Sequence, residues 1–176
     1  GIAFVADPTA FMYAYDVAVQ RDGKILLCGR FHTAANNDVA IARLLPNGTL
    51  DTSFGNQGIG RTDVSTDDTS RSLALFDDGR FVVAGSAIVN GNRDCLVVAY
   101  TPTGVLDTSF GAAGVVTVAF EGFDDQAESV RISKTGDLLV GADGLNSIVR
   151  AHVLGDGPPR YAGETIFRGI VDRQID

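Results

Sequence analysis

Two acidic pairs, Asp67-Asp68 and Asp124-Asp125, stand 57 residues apart in the chain. They belong to acidic segments, residues 63–68 and 121–125, that each precede a strand-like run, so both pairs are expected at one end of a repeated structure. Carboxylates gathered on loops are hard oxygen ligands of the kind that bind Ca²⁺, which makes these four residues the calcium candidates of the sequence. Their spacing matches no EF-hand loop and no nonapeptide calcium repeat, and the first unit carries Phe11-Met12 at the corresponding place. Solvated turn acids are the expected reading, calcium is the alternative, and no other cofactor is implied. His32 lies near Asn36, Asn37 and Asp38, where it could act as a base or ligand, but no nucleophile stands at a recognisable distance. His152 occupies the strand position that Arg43 and Ala99 hold in other units. Two histidines without a cysteine or carboxylate motif make no zinc site, and the expected number of catalytic residues is none.

The elements that must position these groups recur with a period of 56 or 57 residues. Asp22-Gly23 returns as Asp78-Gly79 and, degraded, as Thr135-Gly136, and each is a hairpin corner because glycine and aspartate tolerate the positive φ such turns demand. Apolar runs flank each corner: 16–20 and 24–29, 72–76 and 80–85, 129–133 and 137–141. Third strands are predicted over 39–44, 95–100 and 148–153, and outer strands start at Gly58, Gly114 and Gly169. Gly1, Ile2, Ala3, Phe4 and Val5 form a further copy of that outer strand. Leu50-Asp51-Thr52-Ser53-Phe54-Gly55 returns letter for letter as Leu106-Asp107-Thr108-Ser109-Phe110-Gly111. Leu50 and Phe54 are expected to plug the gap between neighbouring units, while the polar residues bond the corner they sit on. No window shows a sustained helical stripe. Four-stranded units that cannot bury their own faces read as blades of a β-propeller, with residues 1–8 an orphan outer strand and blades at 9–64, 65–120 and 121–176.

Composition agrees with strands and tight turns. Aspartate (19) far outnumbers glutamate (3), and arginine (12) outnumbers lysine (2), so the helix-forming members of both pairs are scarce. A net charge of −8 excludes nucleic acid as a partner class, since phosphates need a basic surface. No apolar run reaches the length of a membrane span. Cys28 and Cys95 fall at different places in the repeat and read as buried free thiols.

The Asp-Gly hairpins, the glycine strand ends and the hexapeptide resemble the delta-60 repeat family of bacterial propeller-type repeats. Residues 16–60 and 72–116 match its pattern, whereas 129–176 keep the spacing but carry Tyr161-Ala162-Gly163-Glu164-Thr165 where the hexapeptide should be. The resemblance implies a secreted or surface-associated repeat scaffold, placed outside the cytoplasm or in the periplasm of a bacterium, and supplies no catalytic residues.

Three blades do not close a ring, so the expected partners are further blades, from the same protein or from other subunits. The interface residues would be Gly1 to Val5 together with the aromatics Phe11, Tyr13 and Tyr15. The expected function is a non-enzymatic scaffold or protein-interaction module. The alternatives are part of a propeller hydrolase or lyase, and a carbohydrate-binding propeller.

Overall fold

Each Asp-Gly corner closes a hairpin in the same way. Gly23 (φ 81°) and Gly79 (φ 91°) donate to the carbonyls of Gln20 and Phe76, and the preceding aspartates accept from the backbone of Lys24 and Arg80. A side chain at such a φ would be strained, which is why glycine recurs there. The degraded corner at Gly136 (φ 93°) makes the same turn, with Ser133 and Asp137 exchanging the flanking bond.

The computed structural model describes residues 11–119, 124–142 and 169–171. In chain order the strands are β1 (Phe11–Val19), β2 (Ile25–His32), β3 (Asn37–Leu44), β4 (Ile59–Thr62), β5 (Thr69–Leu75), β6 (Phe81–Val89), β7 (Asn92–Tyr100), β8 (Val115–Val118), β9 (Ala127–Ile132), β10 (Leu138–Ala142) and β11 (Gly169–Val171). All described sheet pairings are antiparallel, and two sheets run β1-β2-β3-β4 and β5-β6-β7-β8 in simple meander order. The predicted all-β architecture of propeller blades is borne out, and the sheets formed by the described residues do not close into a ring.

The third sheet departs from the meander read in the sequence. Its order is β11-β10-β9, so Gly169–Val171 pairs directly with β10. That is the place β3 and β7 hold in the first two sheets, one position inside the outer strand expected to start at Gly169. The strand predicted at 148–153 and the orphan strand at 1–8 lie outside the described residues.

Two clusters glue the sheets together. Between the first and second lie Leu26, Cys28, Val39 and Ile41 from one side and Leu73, Phe81, Val83, Leu96 and Val98 from the other. Between the second and third, Val82, Ala84, Val97 and Phe110 meet Val130, Leu138 and Val140. The near-continuous apolar letters of β6 and β7 are thereby explained, because alternate residues feed opposite interfaces.

Candidate functional site at the blade junctions

The acidic pairs are joints between sheets. Asp67 Oδ1 accepts from Asn37 Nδ2 of the first sheet at 2.6 Å, and its Oδ2 accepts from Arg93 of β7 at 3.0 Å. Burial pushes the Asp67 carboxyl up, but the hydrogen bonds from Asn37 and Arg93 outweigh it and hold the group below the usual carboxylate range. Asp68 is fully buried and takes the backbone N–H groups of Val64 and Ser65 at 2.6 and 2.8 Å, plus the Ser65 hydroxyl at 2.5 Å. Asp124 accepts from the Arg93 backbone at 3.0 Å, and the Asp125 N–H donates to the Arg93 carbonyl at 2.6 Å. Arg93 thus ties the segment leading into the third sheet to the loop that leads into the second.

Carboxylate oxygens of Asp38, Asp63 and Asp68 come within 4.8 Å of one another. Asp38 is wholly buried and pairs with the Arg61 guanidinium, while its other oxygen accepts from Asn36 at 2.9 Å. Burial raises its carboxyl against the pull of Arg61, and the neighbouring charges of Asp63 and Asp68 add to the rise. Two of the three acids are therefore already held by protein donors. Next to them His32 is exposed at the end of β2, with Nδ1 2.7 Å from Asn37 Oδ1. It extends a polar chain of Asn37, Asp67, Arg93 and Ser86 that crosses the junction.

The hexapeptide forms the other side of the junction. Phe54 is completely buried beside Phe81, which stacks on Tyr100, with ring centroids 6.1 and 5.1 Å apart. Phe110 is buried in the next junction, while Leu50 and Leu106 are half-buried. Asp51 and Asp107 each accept from the serine two residues on, both hydroxyls at 2.6 Å. Those serine bonds lead in holding both carboxyls below their ordinary value, and arginines contribute further. Arg43 lies buried between Asp51 (2.9 Å) and the Pro102 carbonyl of the next sheet (2.8 Å), with Phe54 beneath its guanidinium. Sequence reading passed over Arg43 because Ala99 replaces it in the second unit, where Arg80, at the turn before β6, approaches Asp107 at 3.6 Å. Gly55 and Gly111 close the two corners, both with φ near 53°.

Tyr13 and Tyr15 are exposed on β1, under the guanidinium groups of Arg30 and Arg71 respectively. Phe11 begins that strand, and Gly1 to Val5 fall outside the described residues. A shallow open cleft runs between the outer strands, lined by Thr62, Asp63, Val64, Leu106 and Val115 among others. Among the described residues that line it, Asp63 is the one ionisable group. Among the described residues no helix is present, so no helix N-terminus is offered to a pyrophosphate. The glycine-rich stretch at 55–60 is instead a bend, bonded through Gly55 N to Thr103 O of the next sheet. These described residues do not form a dinucleotide cradle.

Residues 20–54 and 77–110 match a family described as a domain of unknown function (DUF5122) beta-propeller. The first two sheets thus carry a propeller-type repeat. Stretches of the chain are also similar to curated enzymes. It is 47% identical over 64 residues to an aurachin C monooxygenase/isomerase of Stigmatella aurantiaca, covering 33% of this chain and 17% of the relative. It is 39% identical over 79 residues to 3-hydroxybenzoate 6-hydroxylase 1 of Aquipseudomonas alcaligenes, covering 43% and 19%. It is 43% identical over 56 residues to a chloroplastic zeaxanthin epoxidase of Nicotiana plumbaginifolia, covering 28% and 8%. The chain spans less than a fifth of the length of these relatives. Their likeness overturns the expectation of a non-enzymatic scaffold, because it points to an enzyme family. It also overturns the expectation of no cofactor beyond a possible calcium at Asp67, Asp68, Asp124 and Asp125, because it points to a flavin. The repeat accounts for turns, plugs and strand pairing, and none of these local features bears on an enzyme likeness, which is why the sequence pattern did not announce it. Stretches of the first two sheets match a DUF5122 beta-propeller, and further likenesses are to monooxygenases.

Proposed function

We propose that this chain joins propeller blades to part of a flavin-dependent monooxygenase, and that the oxygenase-like part falls mostly within residues 111–176. The observation that carries this reading is the 47% identity over 64 residues to a monooxygenase/isomerase. Outside the two propeller matches, only 111–176 is a run long enough to hold it. The loss of the hexapeptide in the same stretch supports the assignment, as does the changed strand order of the third sheet.

In this reading the blades carry the segment. Val130, Leu138 and Val140 of β9 and β10 are seated on Val82, Ala84 and Val97 of the second sheet. At roughly 25 cal/mol per Å² of apolar surface removed from water, such a seam holds the segment's start to the blades as one folded unit. Flavin would supply the oxygen-activating chemistry. The described blade residues are not assigned to hold it, since they offer no cradle.

The test is a titration of the full chain with FAD, followed by flavin fluorescence, with hydrogen exchange locating the contact. The expected result is saturable quenching with new protection confined to residues 111–176. Absence of quenching would sink the reading, and protection confined to 20–110 would move the site onto the blades.

A further inference from the structure

One face of the first sheet repeats, position by position, a face that is buried in the second. In β5 and β6 the cross-strand pairs Leu73–Val83 and Leu75–Phe81 point toward the first sheet. Leu73, Phe81 and Val83 are 5%, 1% and 1% exposed there. The corresponding pairs in β1 and β2 are Val17–Leu27 and Val19–Ile25. Here Val17 and Val19 are 56% and 65% exposed, and Ile25 and Leu27 are half-buried. The same apolar pattern is covered once and open once.

A polar latch repeats with it. Each inner strand slips register by one residue at the same place: between Ala14 and Asp16, between Ser70 and Ser72, and opposite Gly141–Ala142 in the third sheet. Such a bulge turns the next backbone N–H out of its ladder. At Leu73 that N–H donates to Asp16 of the preceding sheet at 2.9 Å, and at Val130 it donates to Ser72 of the preceding sheet at 3.2 Å. At Val17 it donates to Asp16 Oδ1 of its own strand at 2.8 Å. Asp16 therefore stands in on this side for an acceptor that the other two junctions draw from the sheet before.

We infer that the β1–β2 face bearing Val17, Val19, Ile25 and Leu27 is a docking surface for a further blade of this same repeat. That blade sits against the first sheet as the first sits against the second. Its middle strands bring small and branched apolar side chains in the manner of Leu26, Cys28, Val39 and Ile41. Its inner strand brings a side-chain oxygen to the Val17 N–H. A hydroxyl or amide fits that position, whereas a carboxylate would meet the Asp16 carboxylate across the joint, and like charges at such range disfavour each other. The occupant follows from continuity with the junction between the two propeller-type sheets, and is independent of the oxygenase reading.

The test extends the full chain at its N-terminus with a second copy of residues 65–113, whose inner strand carries serine at the latch. Amide exchange at Val17 is expected to slow by about tenfold, the scale of one hydrogen bond gained together with burial. Aspartate in place of that added serine should cancel most of the protection. Unchanged exchange at Val17 in an extended chain whose added strands are themselves protected overturns the proposal. The unextended chain gives a second check. Val17→Asp with Val19→Asp should leave its melting temperature within about a degree, because surface changes away from contacts are nearly neutral. A fall of several degrees would mean that the chain already covers this face. Self-association dispersed by Val19→Asp would place a second copy there, face to face. Either result overturns the assignment.

Discussion

Phe54 and Gly104 meet across the junction of the first two sheets so closely that a Cβ on Gly104 would lie 2.6 Å from the ring. Gly104 also holds φ at +82°, where a side chain is strained regardless of space. Gly104→Ala should therefore destabilise on two counts, by about 1–3 kcal/mol. Phe54→Ala removes the plug itself and should cost about 3–5 kcal/mol. Urea unfolding of both variants measures this; a Gly104→Ala midpoint equal to that of the parent would show that the junction is looser than its geometry implies.

The acid limb of stability follows from the junction carboxyls. Asp51 and Asp107 are held below their ordinary value, first by the Ser53 and Ser109 hydroxyls. A lowered folded value means stabilisation that is complete above the unfolded value of about 3.9 and lost as pH falls through the folded one. Asp38 works the other way: its raised carboxyl takes up a proton more readily in the folded state, so its contribution improves as pH drops toward 4. Stability should thus hold or rise slightly as pH falls toward about 4 and decline below it. Asp51→Asn with Asp107→Asn should flatten that decline, measured as urea midpoint against pH.

The blades were legible because their determinants are local. Asp22-Gly23, Asp78-Gly79 and the hexapeptides fix turns and plugs within a few residues of themselves, and the repeat supplies the partners. The lengths of β6 and β7 were not read fully. Asn90-Gly91, both at positive φ, forms a tight turn that extends these strands to Val89 and from Asn92, beyond the expected 80–85 and 95–100. The roles of Asp67 and Asp124 were hidden because their partners, Asn37 and Arg93, lie 30 and 31 residues away in other sheets. Spacing along one strand cannot report a bond between two. The oxygenase likeness was hidden for a different reason: the turns and plugs of the repeat report only how sheets pack, and no catalytic motif at recognisable spacing accompanies them.

Arg93 is the shared donor of three hydrogen bonds, to Asp67, Ser86 and Asp124. Its side chain serves the first two and its backbone the third. Arg93→Ala should loosen the loop at 63–68 while leaving the Asp124 contact, since that bond uses the main chain. The expected cost is about 1–2 kcal/mol, because one of the lost bonds is charge-assisted at a half-exposed site. Hydrogen exchange separates the two effects: faster exchange at Asp68, whose N–H bonds the Asn37 carbonyl, with no change at Asp125, whose N–H bonds the Arg93 carbonyl. Equal loss at both would show that the side chain also holds the third sheet.

Cys28 and Cys95 are both buried and free, one in each junction cluster. Burial pushes both thiols up to about 12, with the Asp125, Asp94 and Glu128 charges adding to the effect at Cys95. Thiolate is the reactive form, so neither should react with a thiol-specific disulfide reagent at pH 8 while the sheets stay packed. Reaction should then follow opening of a junction. Because Cys28 lies between the first and second sheets and Cys95 between the second and third, the two rates report separately on the two joints. Phe54→Ala should speed labelling of Cys28 well before that of Cys95, read by mass spectrometry of the labelled peptides. Equal acceleration at both sites would mean that the sheets unfold as one body, with no joint able to open alone.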